Sequence, residues 1–408
     1  MSAASNLDHA RFLWRTCAVV AAGVLLAAGI AVLVDPYGIF RVVQKPGFNA
    51  VKPRPDRYQE EIKLTVVRSL QPGALVMGNS RAEIGFDPAN TLLAAHKEGY
   101  NLSIPGTSIL ATRRQLDYLL ASGQRPARVI LGVEFLDFLS DPAVRRKQAA
   151  SLRGNKVDAL GWKLDAVFSL TALSDSLATL RLQRDPEGKT IAANGFNPLL
   201  EYRRYAREGG YHALFQQRAE EYAKTFVRLP RAVASPEVGG SPDLDALRDM
   251  LRRLAPTAEV HLVIYPYHAQ VMAMFEAAGL WDAFDQWKAI LAREAAAARH
   301  AHPGARITLW DFSGYSPYQC EPIPAKAEKK RETRWYWEAG HFKSALGDVM
   351  LSRMFGNEAD GFGHVLTVGT LDENKRRIMQ ERAICADAAP EVFRDAAMLI
   401  QRASALQH

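Results

Sequence analysis

The chain has few cysteines, no block of like charge and only one long apolar run. Three cysteines in 408 residues exclude a disulfide-framed mini-fold, and the positions of Cys17, Cys320 and Cys385 match no metal-ligand spacing. Cys17 falls inside the apolar N-terminal run, and Cys320 and Cys385 are read as two lone thiols, since a bridge between them requires an oxidising compartment. Lys and Arg (51) outnumber Asp and Glu (44), but the two signs are interleaved, so no nucleic-acid-binding stripe forms and no nucleic-acid partner is expected. A net charge of +7 equally suits a protein that meets anionic lipid or glycan. Neither a metal nor a cofactor is called for.

The single apolar run, Thr16 to Val34, is uncharged and about as long as a hydrocarbon core is thick. Trp14 and Tyr37 stand at its ends, where amphipathic rings prefer to sit, and Arg11 and Arg15 favour an inside N-terminus. A cleaved signal peptide competes, but the run exceeds a usual signal core and Asp35-Pro36-Tyr37-Gly38 stops it as a helix. An uncleaved single-pass anchor is expected over residues 1–37, with everything downstream outside the cytoplasm.

Beyond a linker and first helix (38–71), short apolar runs alternate with helical stretches. Strands are expected at Ala74 to Met77, within Gly99 to Ser108, at Ala127 to Phe135, at Glu259 to His268 running into a Pro turn, and at Ala305 to Gly314. Helices are expected from Asp87-Pro88 towards His96, at Thr107 to Ala121, Met274 to Arg299 and Phe342 to Phe355, and two more in the tail 356–408. Residues 140–240 break the alternation with helices at Asp141 to Arg153, Asp165 to Arg184 and Tyr202 to Lys224, a helical insertion over the sheet edge.

The first strand stops at Gly78-Asn79-Ser80-Arg81. A parallel sheet presents its strand ends at one ligand-binding edge, which sets Ser80 there; the same residues also suit a plain turn. Near the far end, Glu338-Ala339-Gly340-His341 supplies an acid and an imidazole, what a distant serine needs for activation.

Gly78-Asn79-Ser80 resembles the Gly-Asp-Ser block of the SGNH/GDSL hydrolase superfamily, and Glu338-Ala339-Gly340-His341 resembles its terminal Asp-x-x-His block. The resemblance spans residues 72–355 and implies an α/β, flavodoxin-like three-layer sandwich with a five-stranded, mainly parallel sheet. It implies Ser80 as nucleophile, His341 as base, Glu338 as orienter with Asp311 as substitute, and the N–H groups of Ser80 and Gly106 as oxyanion donors. Where the family places Gly-x-Asn, this chain has Gly132-Val133-Glu134; an ionised Glu only accepts hydrogen bonds, so it is protonated, serves another role, or leaves the donor to another group. Asn79, Arg81, Asn101, Glu134, Tyr265 and His268 are candidate substrate contacts; for His268 a helix cap is the plainer alternative.

Membrane-anchored proteins of this shape resemble accessory proteins of glycan O-acetylation. That implies acyl transfer or ester hydrolysis on an envelope polysaccharide at the periplasmic face of a bacterial inner membrane, beside a membrane-bound O-acyltransferase. A catalytically inactive glycan-binding or assembly subunit is the alternative, favoured by Glu134 and Asn79 and opposed by the Ser80 and His341 pair. A lipid esterase would require a more apolar lid than residues 140–240 provide.

Overall fold

The computed structural model describes residues 3–55, 57–93, 98–139, 141–152, 157–233, 241–356 and 361–406. It divides into two compact units, residues 1–66 with 156–193, and residues 67–155 with 194–408.

The first unit is built on one helix, Ala3–Val34, of which His9–Val34 is long and apolar enough to cross a membrane. Val19, Val20, Leu25 and Leu26 are exposed, while Ala28, Ala31 and Val34 form a buried stripe near its end. The helix stops at Asp35, which takes a positive φ of 47° and accepts the N–H groups of Ile39, Phe40 and Arg41 on its carboxylate. Asn49 donates to the carbonyls of Leu33 and Val34, and Lys52 to those of Val34 and Asp35, satisfying groups a helix end leaves orphaned. Helices Leu160–Phe168 and Leu170–Leu182 pack against the long helix. One helix was expected here; Ser169 breaks it by accepting the N–H of Ala172 as an N-cap. Lys52–Pro53 pairs antiparallel with Thr190–Ile191.

The second unit is mixed α/β around a mostly parallel sheet. Ala74–Met77 pairs in parallel with Gly99–Asn101 on one side and Arg128–Val133 on the other, followed by Glu259–Ile264 and Arg306–Asp311. These strands are almost wholly buried, which explains their near-continuous apolar sequences. The sheet has six strands rather than five, because His364–Val365 adds antiparallel beside Arg306–Asp311. All five parallel strands deliver their carboxyl ends to one edge.

Three expected helices differ. Residues 88–93 form turns, and His96 lies outside the described residues. The stretch from Tyr202 splits into Glu201–Gly209 and Tyr211–Phe226 at Gly210, with φ +80°. The stretch around Met274 splits into Ala269–Ala277 and Trp281–Ala301 beside Gly279, with φ +71°. Cys320 and Cys385, expected as separate thiols, form a disulfide with Cα atoms 5.9 Å apart.

Beneath the reactive edge, Phe135 is fully buried with its ring 5.0–5.4 Å from those of Phe275, Phe284 and Trp287. Burying each such ring contributes about 1.5–3 kcal/mol and fixes the backbone of the adjacent Glu134.

Candidate active site

Strand Ala74–Met77 ends in Gly78, whose φ of +147° turns the chain sharply. A side chain there would also meet the Tyr265 hydroxyl, at 2.6 Å from a Cβ, and one at Gly132 would overlap the same ring. The two glycines therefore leave room for Tyr265 under the turn. Asn79 caps the next helix, Ser80–Gly85, by accepting the N–H of Arg81 at 3.0 Å. Ser80 opens that helix and stays partly exposed.

Glu338 and His341 stand on a β-hairpin, Tyr336–Glu338 paired with His341–Phe342, rather than on the helical turn the spacing allowed. His341 Nε2 lies 2.8 Å from Ser80 Oγ, and its Nδ1 is bonded to Glu338. With Nδ1–H donated to the carboxylate, Nε2 is free to accept the serine proton. Glu338 is buried and also accepts the Gly340 N–H at 2.6 Å. Burial alone would raise its pKa, but the His341 imidazole and the Arg218 guanidinium, whose Nε is 3.3 Å away, hold it down to about 2.

The hairpin is held against the serine by close contacts. Gly85 admits the Phe342 ring, where any Cβ would overlap it, and Phe86 meets Phe342 edge to face at 5.8 Å. Gly340 likewise leaves space for the Tyr222 hydroxyl.

Glu134, directly after strand Arg128–Val133, is a fully engaged acceptor. One carboxylate oxygen accepts from Tyr267 at 3.0 Å; the other accepts from Asn79 Nδ2 at 3.1 Å and pairs with Arg81. Burial opposes the charge of Arg81, yet Glu134 together with Tyr222, Tyr267 and Tyr265 outweighs it and raises the guanidinium's pKa. Arg81 also donates to the Tyr222 hydroxyl at 2.8 Å. The charge of Glu134 is thus matched by a cation, the "other role" among the alternatives for this residue.

Several expected substrate contacts turn out to be interior. Arg81 and Glu134 are buried against each other. Asn101 is buried, donates to the carbonyls of Ala82 and Phe86, accepts the N–H of Ser103, and so clamps the end of the serine helix. Tyr265 is fully buried beneath Gly78. His268 is the buried cap of helix Ala269–Ala277, accepting the Gln270 N–H on Nδ1 and facing the Glu321 carbonyl with Nε2; burial lowers it to about 4, so it is neutral. Asn79 spends both ends of its amide on Arg81 and Glu134. Gly106 sits in an exposed turn with φ +68°, three residues before helix Ile109–Ala121 instead of opening it. The loop leading to it runs beside the serine turn, Ile104 N–H donating to the Gly78 carbonyl at 3.1 Å. Asp311 is engaged by Lys288, Ser313 and Asn374, leaving Glu338 as the acid on His341.

Sequence reasoning missed Arg218, Tyr222 and Tyr267. Arg218 and Tyr222 are four residues apart on one helix face, a spacing that predicts a shared partner surface without naming it.

No family model matches the chain, and no curated protein matches it. A solved structure provisionally described as a platelet activating factor from Streptococcus pneumonia aligns at 14% identity and a TM-score of 0.32, over 72% of this chain and 90% of that one.

Proposed function

We propose that the chain is a serine-dependent acyl ester transferase or hydrolase of SGNH type, with Ser80 as nucleophile, His341 as base and Glu338 as orienter. The observation that carries this reading is the continuous Ser80, His341, Glu338 relay across 261 residues of sequence separation. The order of the parallel strands within the six-stranded sheet, second-first-third-fourth-fifth, supports this reading.

In this mechanism Ser80 Oγ attacks an ester carbonyl while its proton passes to His341 Nε2. Collapse of the tetrahedral adduct breaks the bond to the leaving alcohol, which takes that proton. A sugar hydroxyl, or water, then gives its proton to Nε2 and attacks the acyl-serine; collapse of that adduct returns the proton from Nε2 to Ser80 Oγ and releases the new ester, or the free acid. The Ser80 and Gly106 N–H groups are the proposed oxyanion donors, since Glu134 offers none. Relative to the family blocks, acid and amide have traded places: the amide stands at Asn79, the acid at Glu134, and the two are hydrogen-bonded.

The N-terminal helix is proposed as a single-pass inner-membrane anchor with the remainder in the periplasm; the Cys320–Cys385 bridge supports an oxidising location. The envelope polysaccharide and a membrane-bound O-acyltransferase partner rest on the family resemblance.

The test is covalent labelling of the full chain in detergent with a fluorophosphonate probe. Labelling that disappears in Ser80→Ala and His341→Ala is the expected result. A folded wild type that takes no label would favour the second reading, an inactive glycan-binding or assembly subunit, whose specific support is the acceptor-only Glu134.

A further inference from the structure

A cleft of about 810 Å³ adjoins the hairpin of the candidate site. Trp337, immediately before Glu338, and Lys343, immediately after Phe342, belong to its wall. Arg203 and Arg207, one turn apart on helix Glu201–Gly209, face it together with Lys329 and Lys330. Against these five cations the described lining holds one acid, Glu332. Phe196 and Leu200 add an apolar part. Lys343 donates to the Tyr211 hydroxyl at 2.9 Å and lies 4.5 Å over the Trp337 ring, so its ammonium is held in place; burial lowers it to about 8. A mixed apolar and cationic cleft suits a chain of sugar rings bearing negative groups.

We infer that this cleft binds an acidic polysaccharide segment and presents it to Ser80 past the hairpin that carries Glu338 and His341, an inference that rests on the acyl-transfer reading for its purpose but not for its test. The test measures binding of an oligogalacturonate and a length-matched cello-oligosaccharide to full-length Ser80→Ala protein in detergent, so that turnover plays no part. Expected are preferential binding of the acidic chain, weakening with salt, and a loss of about tenfold in Arg203→Ala/Lys330→Ala, from two exposed charge contacts. A melting curve checks that the variant folds. No acidic binding, equal binding of the neutral chain, or a double variant that binds as well as its parent would overturn the inference. Because the fluorophosphonate test is separate, a labelled Ser80 with an empty cleft would refute only this proposal.

A different observation carries a second inference. Helix Leu160–Phe168 has apolar residues on two faces, separated by the exposed Lys163 and by Asp165, which accepts from Tyr58: Trp162 and Ala166 are buried with Ile62, while Leu160 (67% exposed), Leu164 and Phe168 face outward, continued by Leu170 at 87%. Such a helix requires two apolar surroundings. Its unit supplies one, and the helix packs on the membrane-length helix, whose buried stripe of Ala28, Ala31 and Val34 lies near its outer end. The geometry points to a collar in which Leu160, Leu164, Phe168 and Leu170 dip into the bilayer beside the anchor.

Photolabelling of the full chain in nanodiscs containing a diazirine phosphatidylcholine, mapped by mass spectrometry, tests this. Labels on 160–170 that vanish when all four residues are changed to Ser, while the anchor stays labelled, are expected. Labels confined to the anchor, or persisting on 160–170 in the variant, would overturn it.

Discussion

On the proposed reading, the reactivity of Ser80 depends on a buried carboxylate two hydrogen bonds away, and that carboxylate is shared. Glu338 faces both His341 and Arg218, which together overcome its burial and hold it down to about 2. Since its folded pKa lies below the unfolded value near 4.5, the stability it contributes is fully present above pH 4.5 and is lost as pH falls towards 2. That contribution is about 3 kcal/mol, and denaturant titrations at pH 7 and pH 2.5 should show a larger drop in wild type than in Glu338→Gln, since Glu259 and Asp311, also held low, titrate in both. The same variant should label with fluorophosphonate roughly 10²–10⁴-fold more slowly, because an amide lacks the carboxylate's charge and can donate to Nδ1, which favours the wrong tautomer. Arg81 poses a complementary case. Removing its charge in Arg81→Met strands Glu134 in the interior, at a cost of about 3–5 kcal/mol in denaturant midpoint analysis, whereas adding Glu134→Gln should restore part of the loss. Ser80, Glu338 and His341 were legible as candidates because they sit in two contiguous blocks, Gly78-Asn79-Ser80 and Glu338-Ala339-Gly340-His341. Arg81 and Glu134 were visible as residues but not as partners, since a pairing across 53 positions leaves no local pattern.

Among the elements, the contacts that bring serine and histidine together are made by small residues. The short serine helix meets Phe342 through Gly85, and helix Ser344–Phe355 meets Gly85 through Gly347. A methyl group at Gly85 has nowhere to go except into the Phe342 ring, so Gly85→Ala should cost about 1–3 kcal/mol. It should also slow labelling at Ser80 more than its loss of stability explains, because the displaced ring is next to His341. Labelling rates measured well below the melting temperature separate the two effects. The five parallel strands were readable from their apolar runs, yet the hairpin was not: strands of three and two residues give no periodicity, and an acid and a histidine three apart fit a helical turn equally well. The breaks at Gly210 and Gly279 were marked by glycine in otherwise continuous helical patterns, and the pattern outweighed the mark.

For the whole molecule, the disulfide is a check on which side of a membrane the chain works. Cys320 and Cys385 are 65 residues apart, one in the loop before the hairpin and the other in helix Leu371–Ala388, so the bridge ties the C-terminal helices to the segment that leads to His341. By the chain-entropy account a loop of that length stabilises by about 4 kcal/mol, and mild reductant should lower the melting temperature of the full chain while leaving a Cys320→Ala/Cys385→Ala variant's unchanged. The sequence could not establish the pair, since two cysteines far apart are compatible with free thiols and their geometry appears only with the fold. Thiol trapping on protein taken directly from cells connects bridge to topology. Protection of both cysteines until reductant is added is expected if the positive flank at Arg11 and Arg15 stays inside and the second unit lies in an oxidising space. Immediate alkylation of both would place that unit in a reducing compartment, and the periplasmic reading would fall even if Ser80 proved to be a nucleophile.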